Sequence, residues 1–167
     1  MMAKYKMYVD GSFDVRDKFI TKGAMILLDG NDNPIVAQQY KTEKPEFVKS
    51  RNVGGELISV THGLLLSCMF IQKRLGTNEQ YTIDIYYDYT GIRNFIQGPD
   101  FWVAKKPTAL YYVDFMKRIQ DAYPRMLFTF NKIKSHTGNK WNELVDALAG
   151  GMVPVEVKNV LLEELIW

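Results

Sequence analysis

The segment that most constrains this chain is Lys4–Ser12, KYKMYVDGS, which carries one carboxylate, Asp10, to the end of a strand. Its aromatic and β-branched residues favour an extended backbone, and Gly11 is where such a strand stops or bends. An unpaired carboxylate is costly to bury, so an acid there is a poor core residue and a good cation ligand. Three later segments each bring an acid that could meet it: NVGGELIS with Glu56, IDIYYDYT with Asp88 and NELVDALA with Asp146. The rest of the chain is then a scaffold that has to bring four carboxylates together.

Residue patterns supply such a scaffold. Phe19–Leu28 and Ile35–Tyr40 are further strands, separated by the turn-rich Asp29–Pro34, so the chain opens with a three-stranded antiparallel meander. Lys41–Arg51 is polar, contains Pro45 and is expected to be a loop. Gly54–Leu75 has the longest helical pattern: Leu57, Val60, Leu64, Cys68, Ile71 and Leu75 recur at spacings of three and four, and Gly76 follows as a C-terminal stop. Tyr81–Tyr87 is apolar and aromatic nearly throughout, as in a strand covered on both faces. A short helix over Gly91–Gln97, the basic and aromatic Phe101–Lys106, a helix over Thr108–Tyr123 and a strand over Met126–Ile133 follow. Lys134–Gly138 is a loop, Asn139–Ala149 a helix, and Val155–Ile166 a terminal helical stretch. Antiparallel strands followed by strands alternating with helices predict an α/β fold, a mixed five-stranded sheet flanked by helices, three strands antiparallel and two parallel.

Size and charge bound the function. A chain of 167 residues is most simply one domain, 1–167, with 154–167 as a C-terminal extension. A net charge of +2 argues neither for nor against a polyanionic partner, so a nucleic-acid surface has to be a local patch. The single cysteine, Cys68, rules out an internal disulfide and lies in an apolar helical run, where a core role is expected. The N-terminus lacks an apolar signal pattern, and no apolar run approaches the roughly 18 residues of a membrane span. The expectation is a soluble, cytoplasmic, monomeric domain with no membrane partner.

Each acid alone has a plain structural alternative. Asp10 before Gly11 fits a turn, Glu56 a first-turn helix-dipole acid, and Asp88 a helix cap. Asp146 is harder to dismiss, because Val145, Ala147 and Leu148 around it are apolar. Together, two acids at strand ends and two on helices would converge on one sheet edge and repel strongly. Hard divalent cations relieve that repulsion, Mg²⁺ being the usual one. Two of them would clamp the attacking and leaving oxygens of a phosphodiester.

These pieces carry a family resemblance. YVDGS, the GGEL opening of the long helix, YYDYTGI and IKSHTGNKWNELVDALA fall in the order of a type 1 ribonuclease H and span nearly the whole chain. The wording of YYDYTGI resembles the bacterial and phage branch, here without the N-terminal hybrid-binding domain that many of its members carry. The resemblance implies the ribonuclease H-like fold and hydrolysis of the RNA strand of RNA–DNA hybrids with two Mg²⁺ ions, Mn²⁺ as a substitute, leaving 5′-phosphate and 3′-hydroxyl ends. It implies that Asp10, Glu56, Asp88 and Asp146 hold the metals. It makes His136 the loop histidine that assists proton transfer, a role that suits imidazole near neutral pH. His62, mid-helix on an ordinary face, has no such role.

For the hybrid, the resemblance implies contacts from Gly11, Ser12, Asn52, Gly55 and Asn142, with Gly54-Gly55 allowing close backbone approach. Two features depart from the family pattern. Arg16 stands where a small polar residue is usual, and the basic handle is reduced to Phe101–Lys106, with Trp102 to stack and Lys105 and Lys106 to meet phosphates. Competing interpretations are an integrase-like or reverse-transcriptase-type nuclease, a catalytically silent nucleic-acid-binding module of the same fold, and an α/β domain with unrelated acids. The first lacks the His-loop and Asn-Glu-x-x-Asp arrangement, the second would be favoured by a missing acid, and the third needs four coincidences in the correct order.

Overall fold

A computed structural model describes residues 2–14, 16, 20–48, 51–76, 78–88, 107–133 and 138–150, without the side chains of 46, 47, 51–53 and 107–111. The expected elements over Gly91–Gln97, Phe101–Lys106 and Val155–Ile166 lie outside the described residues, as do positions 134–137.

The described chain runs β1 (Ala3–Ser12), β2 (Thr21–Leu28), β3 (Pro34–Thr42), α1 (Pro45–Val48), α2 (Arg51–Leu75), β4 (Tyr81–Tyr87), α3 (Pro107–Ala122), β5 (Met126–Lys132) and α4 (Lys140–Ala149). The five strands form one sheet in the order β3-β2-β1-β4-β5. β1 pairs antiparallel with β2 and β2 with β3, while β4 runs parallel to both β1 and β5. This is the mixed sheet that the residue pattern predicts, with β1 at its centre.

Alternation along the strands sorts two cores. Tyr5, Met7, Val9, Met25, Leu27, Ile83 and Ile85 face α2, and Tyr112, Met116 and Ile119 of α3 complete that layer. Tyr8, Ala24, Ile26, Leu28 and Ala37 face the other way and meet Val145, Leu148 and Ala149 of α4. Burying each large apolar side chain stabilises the fold by roughly 1.5–3 kcal/mol, so the sheet is held mainly by these two layers.

Three expectations are corrected. Lys41–Arg51 is not a loop throughout: β3 continues to Thr42, Pro45 opens a single helical turn, and α2 begins at Arg51. Pro suits the first position of a helix, where its missing N–H costs nothing. Because α2 starts five residues before Glu56, that acid lies in the second turn and no acid occupies the first. The dipole explanation for Glu56 therefore weakens. An apolar run of membrane-spanning length also exists, at Gly54–Leu75, but 83% of its most apolar window is buried against the sheet. It is the core helix, and even its polar residues Ser59, Thr61, His62 and Ser67 are buried. Thr61 donates to the Leu57 carbonyl at 2.9 Å and Ser67 contacts Met7 sulfur at 3.4 Å. Cys68 is buried as expected, and burial pushes its thiol up to about 12.

The closest approach of α2 to the sheet is made by two glycines. A Cβ on Gly23 would stand 2.0 Å from Ser59 Oγ and 2.3 Å from the Gly55 carbonyl, and one on Gly55 would stand 2.1 Å from the Lys22 carbonyl. Neither position has room for a methyl group. Gly23→Ala should destabilise the protein by about 3 kcal/mol, since overpacking against backbone cannot be relieved by a rotamer change. A loss of unfolding free energy below about 1 kcal/mol in urea melts would contradict this seam.

Candidate metal centre

The parallel pairing of β1 and β4 sets the first two acids side by side. Tyr8 is registered with Tyr86, so two residues further on both strands deliver Asp10 and Asp88 to the same edge and the same face. Asp10 is the third-last residue of β1, and Asp88 follows the last residue of β4. Glu56 arrives from α2 because the glycine seam brings that helix onto β1. The Ser59 hydroxyl, one turn beyond Glu56, lies 2.9 Å from the Asp10 carbonyl and 2.7 Å from the Gly55 carbonyl. It can donate to either, and so ties the helix to the acid's own backbone.

The result is a trio. Carboxylate oxygens of Asp10, Glu56 and Asp88 all lie within 4.8 Å of one another. Asp10 and Glu56 are buried, and Asp88 is half-buried. Asp146 comes from α4 on the other side and is exposed, yet its carboxyl acts directly on Asp10. Burial first, then a hydrogen bond with Asp146 and the charges of Asp88 and Asp146, hold the Asp10 carboxyl far above the usual carboxylate range. The Gly11 N–H donates to Asp10 Oδ1 at 2.9 Å and opposes that shift only in part. All donors are carboxylate oxygens, the set that hard divalent cations such as Mg²⁺ or Mn²⁺ prefer. The described residues therefore fit a divalent metal site.

The remaining expected positions divide. Gly11 and Ser12 end β1 beside Asp10 and are half-buried. Gly55, on α2, is close to backbone of the sheet, at the Lys22 carbonyl and Gly11, so its small size serves helix–sheet packing. Asn142 lies one turn before Asp146 on α4, a helix capped by Asn139, whose side chain accepts the Asn142 N–H at 3.0 Å. The Asn142 side chain is buried, and its Oδ1 has no hydrogen-bond partner among the described residues. Asn52 sits at the start of α2, with its side chain outside the description. His136, Trp102, Lys105 and Lys106 lie outside the described residues.

Arg16 pairs with Asp14, its Nη2 2.8 Å from Oδ2, on the exposed surface. His62 is buried beside Phe115 and Tyr40, and burial drives its imidazole down to about 2, so it stays neutral. Residue patterns miss Ser59 and Gly23; a small residue one turn after Glu56 and a glycine opposite Gly11 are the only signals they leave.

The Asp10 shift has a stability consequence. A carboxyl that holds its proton more tightly when folded stabilises the protein below the unfolded value near pH 4, and that contribution is lost as pH rises. Asp10→Asn, which cannot ionise, should therefore be more stable than the wild type in chelator at pH 7, by about 2 kcal/mol, with the difference vanishing near pH 4. A less stable variant in urea melts with chelator would make Asp10 a structural acid.

Comparison with known proteins agrees with the fold. Neither a protein-family model nor a curated protein matches the sequence. Solved structures do. RNase H1 from the halophilic archaeon Halobacterium salinarum superposes with a TM-score of 0.60 at 14% identity, over 88% of this chain and 95% of that one. LC11-RNase H1 in complex with an RNA/DNA hybrid gives 0.62 at 14% identity, over 87% and 96%. The N-terminal RNase H domain of Rv2228c from Mycobacterium tuberculosis gives 0.60 at 13% identity, over 89% and 91%. The chain has the ribonuclease H fold, with an acidic cluster fit for divalent metal where its central parallel strands end.

Proposed function

We propose that this protein is a metal-dependent endoribonuclease that hydrolyses the RNA strand of RNA–DNA hybrids. The observation that carries the proposal is the trio of Asp10, Glu56 and Asp88 within 4.8 Å at the edge of a ribonuclease H fold. A cluster of acids that raises the proton affinity of its central member is expensive unless a cation uses it. The hybrid held by LC11-RNase H1 supports the choice of substrate.

The acids Asp10, Glu56, Asp88 and Asp146 would hold two Mg²⁺ or Mn²⁺ ions, which supply charge neutralisation, an activated water and an in-line clamp on the scissile phosphate. Asp10 must give up its proton to serve as a ligand, so its high proton affinity makes metal binding pH-dependent. The Gly11 N–H fixes the direction of Oδ1. Gly11 and Ser12, at the lip of β1, are assigned to 2′-hydroxyls, which distinguish RNA from DNA. The Asn142 amide oxygen, with no hydrogen-bond partner among the described residues, lies one turn from Asp146 and is assigned to a donor on the substrate or its water. His136 is assigned the proton transfer to the departing 3′-oxygen, with 5′-phosphate and 3′-hydroxyl products. Asn52 is assigned to the hybrid, Trp102 to stacking on it, and Lys105 and Lys106 to its phosphates.

The test is cleavage of a labelled RNA–DNA hybrid with Mg²⁺, Mn²⁺ or chelator, beside single-stranded RNA, duplex RNA and duplex DNA. Metal-dependent cutting of the hybrid's RNA strand alone is expected, reduced about a thousandfold or more in Asp10→Asn. Hybrid binding without cutting would make the protein a silent binding module. Cutting of DNA would point to the other nucleases of this fold.

A further inference from the structure

Two lysines stand directly opposite each other beside the metal site. Ser12 is registered with Lys22, and Lys22 with Lys41, two residues beyond the row of Asp10, Ala24 and Gln39 and so on the same face. Gly23 presses against α2, so its neighbour Lys22 points to the other face of the sheet, the face of Asp10 and Ser12. Lys22 is half-buried and Lys41 exposed.

Like charges paired across antiparallel strands destabilise a sheet. Neither lysine forms an ion pair among the described residues. Asp14, whose charge reaches Lys22, is already clamped by Arg16, which donates to both of its carboxylate oxygens. A bound anion would turn this repulsion into attraction for both ammonium groups. Two residues along a strand and one strand across place Lys22 about 8 Å from Asp10 between Cα atoms.

Resting on the nuclease function proposed above, we infer that Lys22 and Lys41 together hold a backbone phosphate of the hybrid's RNA strand, close to the bond cut at the acids. The pair is then a positive patch that overall charge does not reveal. It also gives β2 and β3 a part in substrate binding, in line with Ser12.

The experiment compares Asp10→Asn, used to stop cleavage, with the same background carrying Lys22→Gln and Lys41→Gln. Hybrid affinity is measured by fluorescence anisotropy across a salt series, and melting is measured for Lys41→Gln without nucleic acid. Expected are about tenfold weaker binding at 0.1 M salt and a salt slope smaller by about one in the double lysine variant. Lys41→Gln alone should melt about 1–3 °C higher, because one neutral partner ends the repulsion. Unchanged affinity and slope, with the Asp10→Asn background still binding hybrid, would overturn the lysine assignment alone. No binding by that background at any salt would overturn the hybrid substrate itself, and the lysine assignment with it. A lower melting temperature in Lys41→Gln would show that the pair is not held at a cost and would remove the ground for the inference.

Discussion

Glu56 can stand beside Asp10 only because, at Gly23 and Gly55, α2 meets the sheet almost backbone to backbone. The two glycines allow that approach, and Ser59 fills the remaining gap with a hydroxyl that touches both the Asp10 and Gly55 carbonyls. The seam is a local contact with a wide effect, since a buried helix of 25 residues is placed by it. Moving α2 outward by one methyl group would separate the carboxylates that come from the helix and the strand. Core packing supplies most of the stability, but the seam sets the distance on which the chemistry depends.

The same closeness creates an electrostatic tension. Three carboxylates within 4.8 Å, two of them buried, are an unfavourable arrangement for the protein alone. It is tolerated because the two apolar layers around the sheet hold it in place. Asp10 shows the tension most clearly, being deep, adjacent to Asp88 and Asp146, and forced to keep its proton until a cation replaces it. Lys22 and Lys41 repeat the theme with opposite sign on the neighbouring row. Both clusters are costs in the free protein that a metal-bound nucleic acid would remove, one by cations and one by phosphate.

Much of this is legible in the chain. The aromatic and β-branched run ending in Asp10-Gly11 and the apolar stripe from Leu57 to Leu75 each carry a pattern that packing enforces, whereas Tyr81–Tyr87, whose composition suggests cover on both faces, buries one face fully and the other only in part. The start of α2 is not legible, because Gly54 and Gly55 are poor helix formers and mask a helix that begins at Arg51. Their presence has a tertiary cause, the seam, which local propensity does not encode. Pro45 likewise serves as a loop residue or a first helical residue, and only context separates the two. The acids can be picked out by residue type and order, yet their depth cannot. That Asp10 and Glu56 are buried while Asp146 is exposed follows from which helix covers which end of the sheet. Lys22 and Lys41 become a pair only once the register of two antiparallel strands is known.

Three carboxylates this close are favourable for the protein only with a divalent cation between them. The most direct test is a titration with Mn²⁺, following unbound ion by electron paramagnetic resonance at pH 7 and again at pH 5. One to two ions should bind per chain at pH 7, more weakly at pH 5 as protons compete for Asp10, and binding should be lost in Asp10→Asn. Binding that is absent, or that persists unchanged in Asp10→Asn, would contradict the metal centre.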